Sequence, residues 1–411
     1  MRPPSPLIRY TLIDMPDTIV TAIGSSAHTN AAQAGREAAQ HALSRLAALR
    51  PQVAFVFGSS WFDQEQLLVG VRSVLGTTPL VGGSTAGEIT SDGPSRSSCV
   101  VMLVASSCLD WSVGAGEHVE QFPRDAGQQM ATSALREFRG SPRMGLLLFG
   151  DGLVTSYAEV VRGVQEVLGT SSLIVGGMTG DDLRFIQTSQ YFNDQVLHRA
   201  VVGALVGGAG RIGVGMEHGF APISKPRHIT RAHANVLEQL DDQPAASVYE
   251  EYFGHELVHQ LRSEGLTRRG IAYPLGIQCE RADQWVLRNV LSFEENGSLV
   301  CSGEMVEGSW VQLMLGSKDL ALNAAHRAAQ QAVQSLNHVA GVLVFDSAVR
   351  RKLLGEQQAA AEIARIRHTV GTSVPLAGCY TYGEQAPLAM ASVYGRTVVQ
   401  SGSVLVVALG R

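Results

Sequence analysis

Three short glycine-rich segments carry the side chains best suited to bind a ligand. They read VGGSTAGE at 81–88, VGGMTGDD at 175–182 and AGCYTYGE at 377–384. In each segment glycine allows close approach to the backbone, and hydroxyl, aromatic and acidic groups follow it. Polar loops at strand ends are where α/β proteins bind ligands, so the three together predict a ligand pocket. The candidate binding residues are Ser84, Thr85, Gly87, Glu88, Thr179, Asp181, Tyr380, Tyr382 and Glu384.

Each loop taken alone also fits a strand-end turn that serves only the fold. The acids Glu88, Asp181 and Glu384 could act as a carboxylate cluster in acid–base chemistry, or could bind or cap instead. Tyr380 and Tyr382 alternate along a strand end and point the same way. They could stack on a ligand or form a buried pair.

A second pattern, HELVH at 255–259, is the basis of a rival enzyme hypothesis. On a helix, His255 and His259 share one face and could bind zinc, with Glu256 as the general base of a metallopeptidase. Gly254 precedes the pattern, and a third ligand would have to be remote, for example Glu280. Two ordinary histidines on a helix surface are the alternative.

Composition and charge exclude several classes of protein. The 411 residues include 32 Lys and Arg against 37 Asp and Glu, a net charge of −5, which disfavours a nucleic-acid binder. Five cysteines form no C-x-x-C pair, and no G-K-[ST] phosphate loop occurs. Apolar runs such as 99–105 are far shorter than the ~18 residues of a membrane span. Prolines near the start disfavour a signal peptide, so we expect a cytoplasmic protein.

The elements around the three loops repeat one plan three times. Each unit reads helix, apolar strand, helix, Gly-rich strand end and a further apolar strand. The spacing from Phe57 to Gly83 is 26 residues. The corresponding spacings are 28 from Phe149 to Gly177 and 33 from Phe345 to Gly378. A helix between two strands predicts a parallel crossover, and the strand after the loop is expected to be antiparallel.

This repeat predicts an α/β fold, with α+β as the variant, organised in two sheet-based domains. The first domain is placed at 20–240 and contains two units. The second is placed at 241–411 and contains a linking helix, short strands between 273 and 315, and the third unit.

The blocks VGGSTAGE, VGGMTGDD, YFNDQVLHRAVVGALV, HGFAPIS and LDDQPAASVYEEYFG resemble the FIST N-terminal sensory domain. YPLGI, VLRNV, GSWVQLML, VFDSAVRRKLLG and PLAGCYTYGEQAP resemble the FIST C-terminal domain. The resemblance covers about residues 20–400 in the family's order. Arg288 and Arg350 match family positions, and each could clamp a carboxylate or form a structural ion pair. Ser347 stands where the family often has cysteine.

The resemblance implies small-molecule sensing in signal transduction rather than catalysis. Such a protein would act in trans on a signalling partner such as a histidine kinase or a cyclic-dinucleotide enzyme, and a homodimer is compatible with this role. An amino acid or another metabolite is one implied ligand. Another branch of the family binds haem and senses nitric oxide.

For that branch, His198 is the candidate axial ligand of a haem b iron, because it precedes a strongly apolar strand. Arg199 beside it could pair with a propionate. A surface histidine at a strand start is the alternative, and His218 and His228 are further candidates. We expect His198 to lie in an apolar pocket if haem is bound. An amino-acid ligand instead requires Glu88, Asp181, Arg350 and the loop hydroxyls to converge on a polar pocket.

Overall fold

The computed structural model describes residues 18–46, 49–264, 271–279, 284–388 and 397–411. Its helices include α1 (Ala31–Arg45), α2 (Gln64–Leu75), α3 (Pro123–Glu137), α4 (Tyr157–Leu168), α5 (Ser247–Glu264), α6 (Lys318–Val333), α7 (Ala348–Leu354) and α8 (Glu356–Val370). Three of them start at a polar side chain that accepts a backbone N–H of the first turn, as expected of N-caps. These caps are Asn30, Asp63 and Ser317.

Three six-stranded sheets have the same strand arrangement. Sheet I runs β1 (Ile19–Ser26), β6 (Cys99–Ser106), β2 (Val53–Ser59), β3 (Leu80–Thr85), β10 (Gln190–Phe192) and β11 (Gln195–Leu197). Sheet II runs β7 (Leu109–Glu117), β12 (Ala200–Gly208), β8 (Arg143–Gly150), β9 (Ile174–Met178), β25 (Glu384–Pro387) and β26 (Thr397–Gln400). Sheet III runs β13 (Arg211–Glu217), β27 (Val404–Gly410), β23 (Val339–Ser347), β24 (Leu376–Thr381), β4 (Glu88–Thr90) and β5 (Gly93–Ser95).

The predicted crossover is observed in every unit. The central pairs β2–β3, β8–β9 and β23–β24 are parallel, and the strand that follows each loop is antiparallel to the first strand of its pair. The register places Phe57 beside Gly83 and Phe149 beside Gly177, as the spacing predicts. In the third unit Phe345 lies beside Cys379, so Gly378 corresponds to the preceding glycine of each loop.

The hairpin after each Gly-rich loop belongs to a neighbouring sheet. Hairpin β4–β5 of the first unit pairs with β24 of the third unit, and β10–β11 of the second pairs with β3 of the first. Hairpin β25–β26 of the third unit pairs with β9 of the second. The exchange therefore runs once around all three units and closes them into a ring.

The inner faces of the three sheets form one apolar core. At its centre lie Phe57, Phe149 and Phe345, one from the first strand of each parallel pair, with ring centroids 5.6–6.3 Å apart. All three rings are at most 2% exposed. Burial of such aromatic rings contributes strongly to stability, so this triad holds the units together at the axis. The helices α1 and α2, α3 and α4, and α6 and α8 cover the outer faces.

A fourth sheet is inserted between the second and third units. It contains β14 (Phe220–Pro222), β15 (Arg227–His233), β16 (Val236–Leu240), β17 (Gln243–Pro244), β18 (Leu275–Gln278), β19 (Trp285–Arg288), β20 (Val290–Phe293), β21 (Leu299–Cys301) and β22 (Trp310–Gly316). Its apolar face, with Leu237 and Leu313, packs against Tyr249 and Val258 of α5. The short strands predicted between 273 and 315 are thus strands of one antiparallel sheet.

The observed sheets do not separate at residue 240. Sheet II combines β8 and β9 from before this position with β25 and β26 from after it. Sheet III likewise takes β4 and β5 from the first hundred residues. The predicted boundary between 20–240 and 241–411 therefore does not divide the sheets. As a division of the sequence into two domains, it stays a prediction. Within the described residues, every helix is too short or too polar to cross a membrane.

Candidate functional site

A cavity of about 490 Å³ lies where the carboxyl ends of β8, β9, β23 and β24 face the fourth sheet. We call it the upper cavity. Its apolar wall includes Leu153, Met178, Leu183, Leu291 and Val349. Its polar groups come from Thr155, Asn289, Ser302, Thr381 and Tyr382. Both the volume and the mixture of an apolar wall with a few polar groups are typical of small-molecule sites.

Asn289, a residue of the cavity wall, has a side-chain acceptor without a partner. The residue is 5% exposed, and its side-chain Oδ1 has no hydrogen-bond partner. Its backbone N–H donates to Ser302 Oγ at 2.9 Å, which holds the residue in place. Because a buried polar atom without a partner costs about 1–3 kcal/mol, a ligand that donates an N–H or O–H would gain from meeting it.

The loop at 181–187 closes one side of the upper cavity. Asp181 is fully buried, and its carboxylate accepts the backbone N–H groups of Phe185, Ile186 and Gln187 at 2.7–3.0 Å. The Tyr382 hydroxyl donates to the same carboxylate. The hydroxyl also accepts the Leu183 N–H at 2.7 Å. Burial, followed by the hydrogen bond to Asp181, raises the pKa of Tyr382 above its ordinary value.

This loop is backbone-strained where it meets the cavity. Asp182, Leu183 and Phe185 have φ between 54° and 61°, a region that costs non-glycine residues about 1–2 kcal/mol each. Leu183 and Phe185 line the cavity, and the Phe185 ring stacks on Tyr382 with centroids 5.1 Å apart. Ile186, on the same loop, is 74% exposed. The loop therefore has one face on the cavity and another on solvent.

Of the predicted loop residues, Tyr382 lines the upper cavity, and Asp181 shapes its closing loop. Thr381, which was not among the predicted residues, also lines the cavity. The acids Glu88 and Glu384 do not line it. Each is fully buried and forms the same three hydrogen bonds in its own unit. Glu88 accepts Thr85 Oγ1 at 2.6 Å and both N–H and Oγ of Ser98 at 3.1 and 2.6 Å.

Glu384 repeats this arrangement with Thr381 at 2.6 Å and with Ser403 at 3.1 and 2.7 Å. Both acids sit on an exchanged hairpin, so these bonds tie the hairpin to the last strand of its own unit. Burial raises the pKa of Glu88 to about 7 and that of Glu384 to about 8. The three acids therefore do not form the carboxylate cluster that was one alternative: Glu88 and Glu384 each hold an exchanged hairpin in place, and Asp181 holds its own loop.

The second unit fills the equivalent position with Gln190. The strand register places Gln190 opposite Gly83, as it places Glu384 opposite Gly177. The Gln190 amide donates to Thr179 Oγ1 at 2.8 Å and accepts the Ala200 N–H at 3.2 Å. Sequence alignment of the loops misses this residue, because the second loop is longer and puts Asp181 and Asp182 where the acid is expected.

Ser84, Thr179 and Gly87 also serve the fold. Ser84 Oγ donates to the Gly180 carbonyl at 2.8 Å, and Thr179 Oγ1 donates to the Gly150 carbonyl at 3.0 Å. A Cβ on Gly87 would lie 1.8 Å from Arg351 Nη1. The close approach predicted for this glycine is therefore to an arginine of the same chain rather than to a ligand.

Tyr380 is buried beneath the Arg351 guanidinium, whose Cζ lies 4.6 Å from the ring centroid, so it does not line the upper cavity. Arg350 is fully buried between Asp346, at 3.0 Å, and Glu362. Arg288 donates to the Leu287 and Val399 carbonyls at 2.9 Å, and burial lowers its pKa to about 10. Both arginines are structural, so the polar pocket expected for an amino acid does not form from these residues.

The position of His198 contradicts an axial haem ligand in an apolar slot. The residue is exposed, and its Nδ1 lies 3.0 Å from the Thr188 carbonyl. Arg199 beside it is 72% exposed and lies 3.6 Å from Glu120. His218 is largely enclosed, burial lowers its pKa to about 4, and its Nδ1 accepts the Phe220 N–H. His228 packs against Trp310. The residues around His198 do not fit haem.

The HELVH segment follows a break in its helix. Gly254 has φ of 77°, which separates the histidines from the preceding turns of α5. The His255 side chain is 88% exposed and lies 3.5 Å from Glu250, and His259 is exposed. Glu280 lies outside the described residues. Among those that are described, no three His, Cys, Asp or Glu side chains come together as a metal site. The arrangement matches two surface histidines.

The fold consists of three α/β units closed into a ring, with an antiparallel sheet added over the upper cavity. The chain belongs to the FIST family. The FIST N domain matches residues 52–243 and the FIST C domain matches residues 245–387. FIST domains are sensory domains of signal transduction that bind small ligands.

Proteins of similar sequence occur in a bacterium and an archaeon. An uncharacterised protein of Mycobacterium tuberculosis is 27% identical over 380 residues, covering 89% of this chain and 94% of its own. One of Methanocaldococcus jannaschii is 23% identical over 267 residues, covering 61% and 51%. A cyanuric acid hydrolase from A. caulinodans aligns over 96% of this chain and 100% of its own, with a TM-score of 0.36 and 10% identity. So distant a likeness says nothing about activity.

Proposed function

We propose that this protein senses a small, neutral and partly apolar molecule in the upper cavity and signals to a partner protein in trans. The single observation that supports this most is Asn289, a buried residue of the cavity wall whose side-chain Oδ1 has no hydrogen-bond partner. An acceptor kept without a partner in a folded core is costly, and such costs concentrate at functional sites.

The lining limits the chemistry of the ligand. No lining residue in the described part of the chain carries a charge, while Leu, Val, Met and Phe side chains form most of the wall. A buried charge without a partner is strongly unfavourable, so a zwitterionic amino acid fits less well than a neutral molecule. The ligand donates an N–H or O–H to Asn289 and lays its apolar part against Leu291 and Val349.

Two elements of the wall extend beyond the cavity and can carry the signal. In the 181–187 loop, Phe185 stacks on Tyr382 at the cavity and is half exposed, and Ile186 lies on the surface. Helix α7 begins with Ala348 and Val349 at the cavity and is anchored by Arg350 to Asp346 and Glu362. A ligand that prefers one arrangement of the loop shifts its population by its difference in affinity. The partner is a signalling enzyme such as a histidine kinase or a cyclic-dinucleotide enzyme.

The test is a thermal-shift screen of amino acids and neutral metabolites against the full chain and three variants. Val349→Trp fills the cavity, Asn289→Leu removes the acceptor, and Asn337→Leu is a matched change at an exposed position. A true ligand raises the Tm of the wild type and of Asn337→Leu but not of Val349→Trp. A compound that stabilises Val349→Trp as much as the wild type would place its site elsewhere and contradict the proposal.

A further inference from the structure

A second, larger cavity lies at the opposite end of β8 from the upper cavity. We call it the lower cleft. Its volume is about 820 Å³, within the range of sites that bind small molecules and cofactors. Its floor includes the nearly buried apolar side chains of Leu168, Leu173 and Leu205. Arg143 and Arg211, the first residues of β8 and β13, stand at its rim.

The polar groups of this rim are not used by the fold. Arg143 and Arg211 are exposed, and neither guanidinium forms a hydrogen bond or ion pair with any described residue. The hydroxyls of Thr170, Ser171 and Ser335 on the same rim are equally without partners among the described residues. The part of the lining that the structure describes includes no acid. The rim therefore presents two positive charges and three hydroxyls.

Arginines near the end of a helix often have a structural role, and helix α4 ends at this cleft. The carbonyls at a helix C-terminus carry partial negative charge, which favours nearby cations. In the first unit Arg72 serves this role and donates to the Gly76 and Thr78 carbonyls at 2.9 and 2.6 Å. In the third unit Arg367 donates to the Thr372 carbonyl at 3.1 Å.

The second unit departs from this pattern. The residue equivalent to Arg72 and Arg367, whose carbonyl accepts the N–H of the glycine that ends the helix, is Gln165. The end of α4 is capped instead by Ser172, whose Oγ donates to the Leu168 carbonyl at 2.7 Å. Arg143 and Arg211 are thus additional to the helix-capping arginine of the other units, and they do not bond the helix end.

We propose that the lower cleft binds an organic phosphate. Arginine is the side chain best matched to phosphate, because its planar fork donates two parallel hydrogen bonds to two oxygens. The hydroxyls supply further donors, and the apolar floor accommodates the body of the molecule. The lower cleft shares no lining residue with the upper cavity, so this proposal is tested independently of the proposed function.

The test is isothermal titration calorimetry of the full chain with three probes: ATP, inorganic tripolyphosphate and citrate. The variant Arg143→Ala/Arg211→Ala removes both rim charges. Arg50→Ala/Arg136→Ala removes two exposed arginines elsewhere and gives the same change in net charge. We expect ATP to bind, its Kd to rise at least about tenfold in the first variant, and its Kd to stay within about twofold in the second.

Tripolyphosphate is expected to bind more weakly than ATP, because it has no apolar body for the floor. The proposal is overturned if none of the phosphate probes binds, or if both double variants bind ATP alike. Citrate binding as tight as that of ATP would overturn the assignment to phosphate in favour of general anion attraction. Circular dichroism of both variants controls for misfolding, which these exposed positions are not expected to cause.

Discussion

Glu88, Gln190 and Glu384 occupy one place in three units, although two are acids and one is an amide. Each side chain bonds a threonine of its loop, but the direction differs: Thr85 and Thr381 donate to the glutamates, whereas the Gln190 amide donates to Thr179. Burial disfavours the charged form of a carboxyl group, which brings Glu88 and Glu384 closer to the neutral amide of Gln190. The raised pKa values, about 7 for Glu88 and about 8 for Glu384, fit this comparison.

The first prediction concerns the pH dependence of stability. Since the folded-state pKa values lie above the ordinary 4.5, the contribution of Glu88 and Glu384 is full below about pH 4.5 and is lost as pH rises through 7 to 8. The double variant Glu88→Gln/Glu384→Gln has no carboxyl group to ionise at these positions. Its free energy of unfolding should therefore not show this decrease with rising pH, which is on the order of a few kcal/mol in the wild type. Urea unfolding at pH 5 to 8 checks it, with exposed Glu117→Gln as control. An unchanged pH dependence in the double variant would contradict the prediction.

The second prediction concerns the buried ion cluster behind α7. Arg350 lies between two carboxyl groups, all three with fully buried side chains, and burial together with Glu362 raises the pKa of Asp346 well above its usual range. Arg350→Met leaves both acids without their cation and is expected to lower the free energy of unfolding by about 3–5 kcal/mol. Denaturant unfolding measures this.

The matched control for this experiment is Arg96→Met. Arg96 pairs with Glu356, but both side chains are about two-thirds exposed, so the change should have no measurable effect. Adding Asp346→Asn and Glu362→Gln to Arg350→Met should restore part of the loss. A loss from Arg350→Met as small as that from Arg96→Met would show that the buried cluster contributes little.

At the scale of elements, the 181–187 loop depends on one hydroxyl. The Tyr382 Oη connects the third unit to Asp181 and Leu183 of the second. Tyr382→Phe removes these bonds, a loss of about 1–2 kcal/mol of local stability, or about tenfold faster amide exchange. Hydrogen–deuterium exchange of 183–187 is the measurement.

Tyr380→Phe is the matched control for Tyr382→Phe. The Tyr380 hydroxyl is buried without a partner, so its removal leaves no bond broken and should not change exchange in the 181–187 loop. If both variants accelerated exchange equally, the effect would come from general loosening of β24 and not from the loop contact. If neither did, the hydroxyl would not be what holds the loop.

At the scale of the whole molecule, the exchanged hairpins predict a single cooperative unfolding transition. A fragment ending at residue 244 would lack β24, the partner of β4, and β25, the partner of β9. We therefore expect one calorimetric transition for the full chain and no folded state for fragment 18–244 alone. Mixing it with 245–411 should restore structure. Two transitions in the full chain, or a folded fragment, would show two independent domains.

Much of this architecture could be predicted from the sequence, because the same local order of helices and apolar strands occurs three times. The apolar strands, the alanine-rich helices and the reference residues Phe57, Phe149 and Phe345 identify three equivalent units, and these phenylalanines meet at the axis. The parallel crossover follows from the order of elements alone.

The site could be predicted only in part, because its residues depend on pairing between units. A three-residue strand such as β4 contains no signal for the sheet it joins, so the burial of Glu88 was not foreseeable. Asn289 lies on an inserted sheet far along the chain from the loops it faces. Tyr382 and Glu384 were both predicted from the third Gly-rich loop, but only Tyr382 lines the cavity, because Glu384 is the first residue of the buried strand β25.

The cycle of exchanged hairpins has a further consequence for how such a chain can arise. Each unit completes a neighbour's sheet rather than its own, as subunits do in a domain-swapped trimer with cyclic symmetry. Three separate copies of one ancestral unit could therefore have formed the same ring before the copies were joined in one polypeptide. Once they were joined, the three positions no longer had to be identical. In a symmetric trimer every change occurs three times. The joined chain instead has Gln190 where the other two units have Glu88 and Glu384, and it has Arg143 and Arg211 at one cleft only.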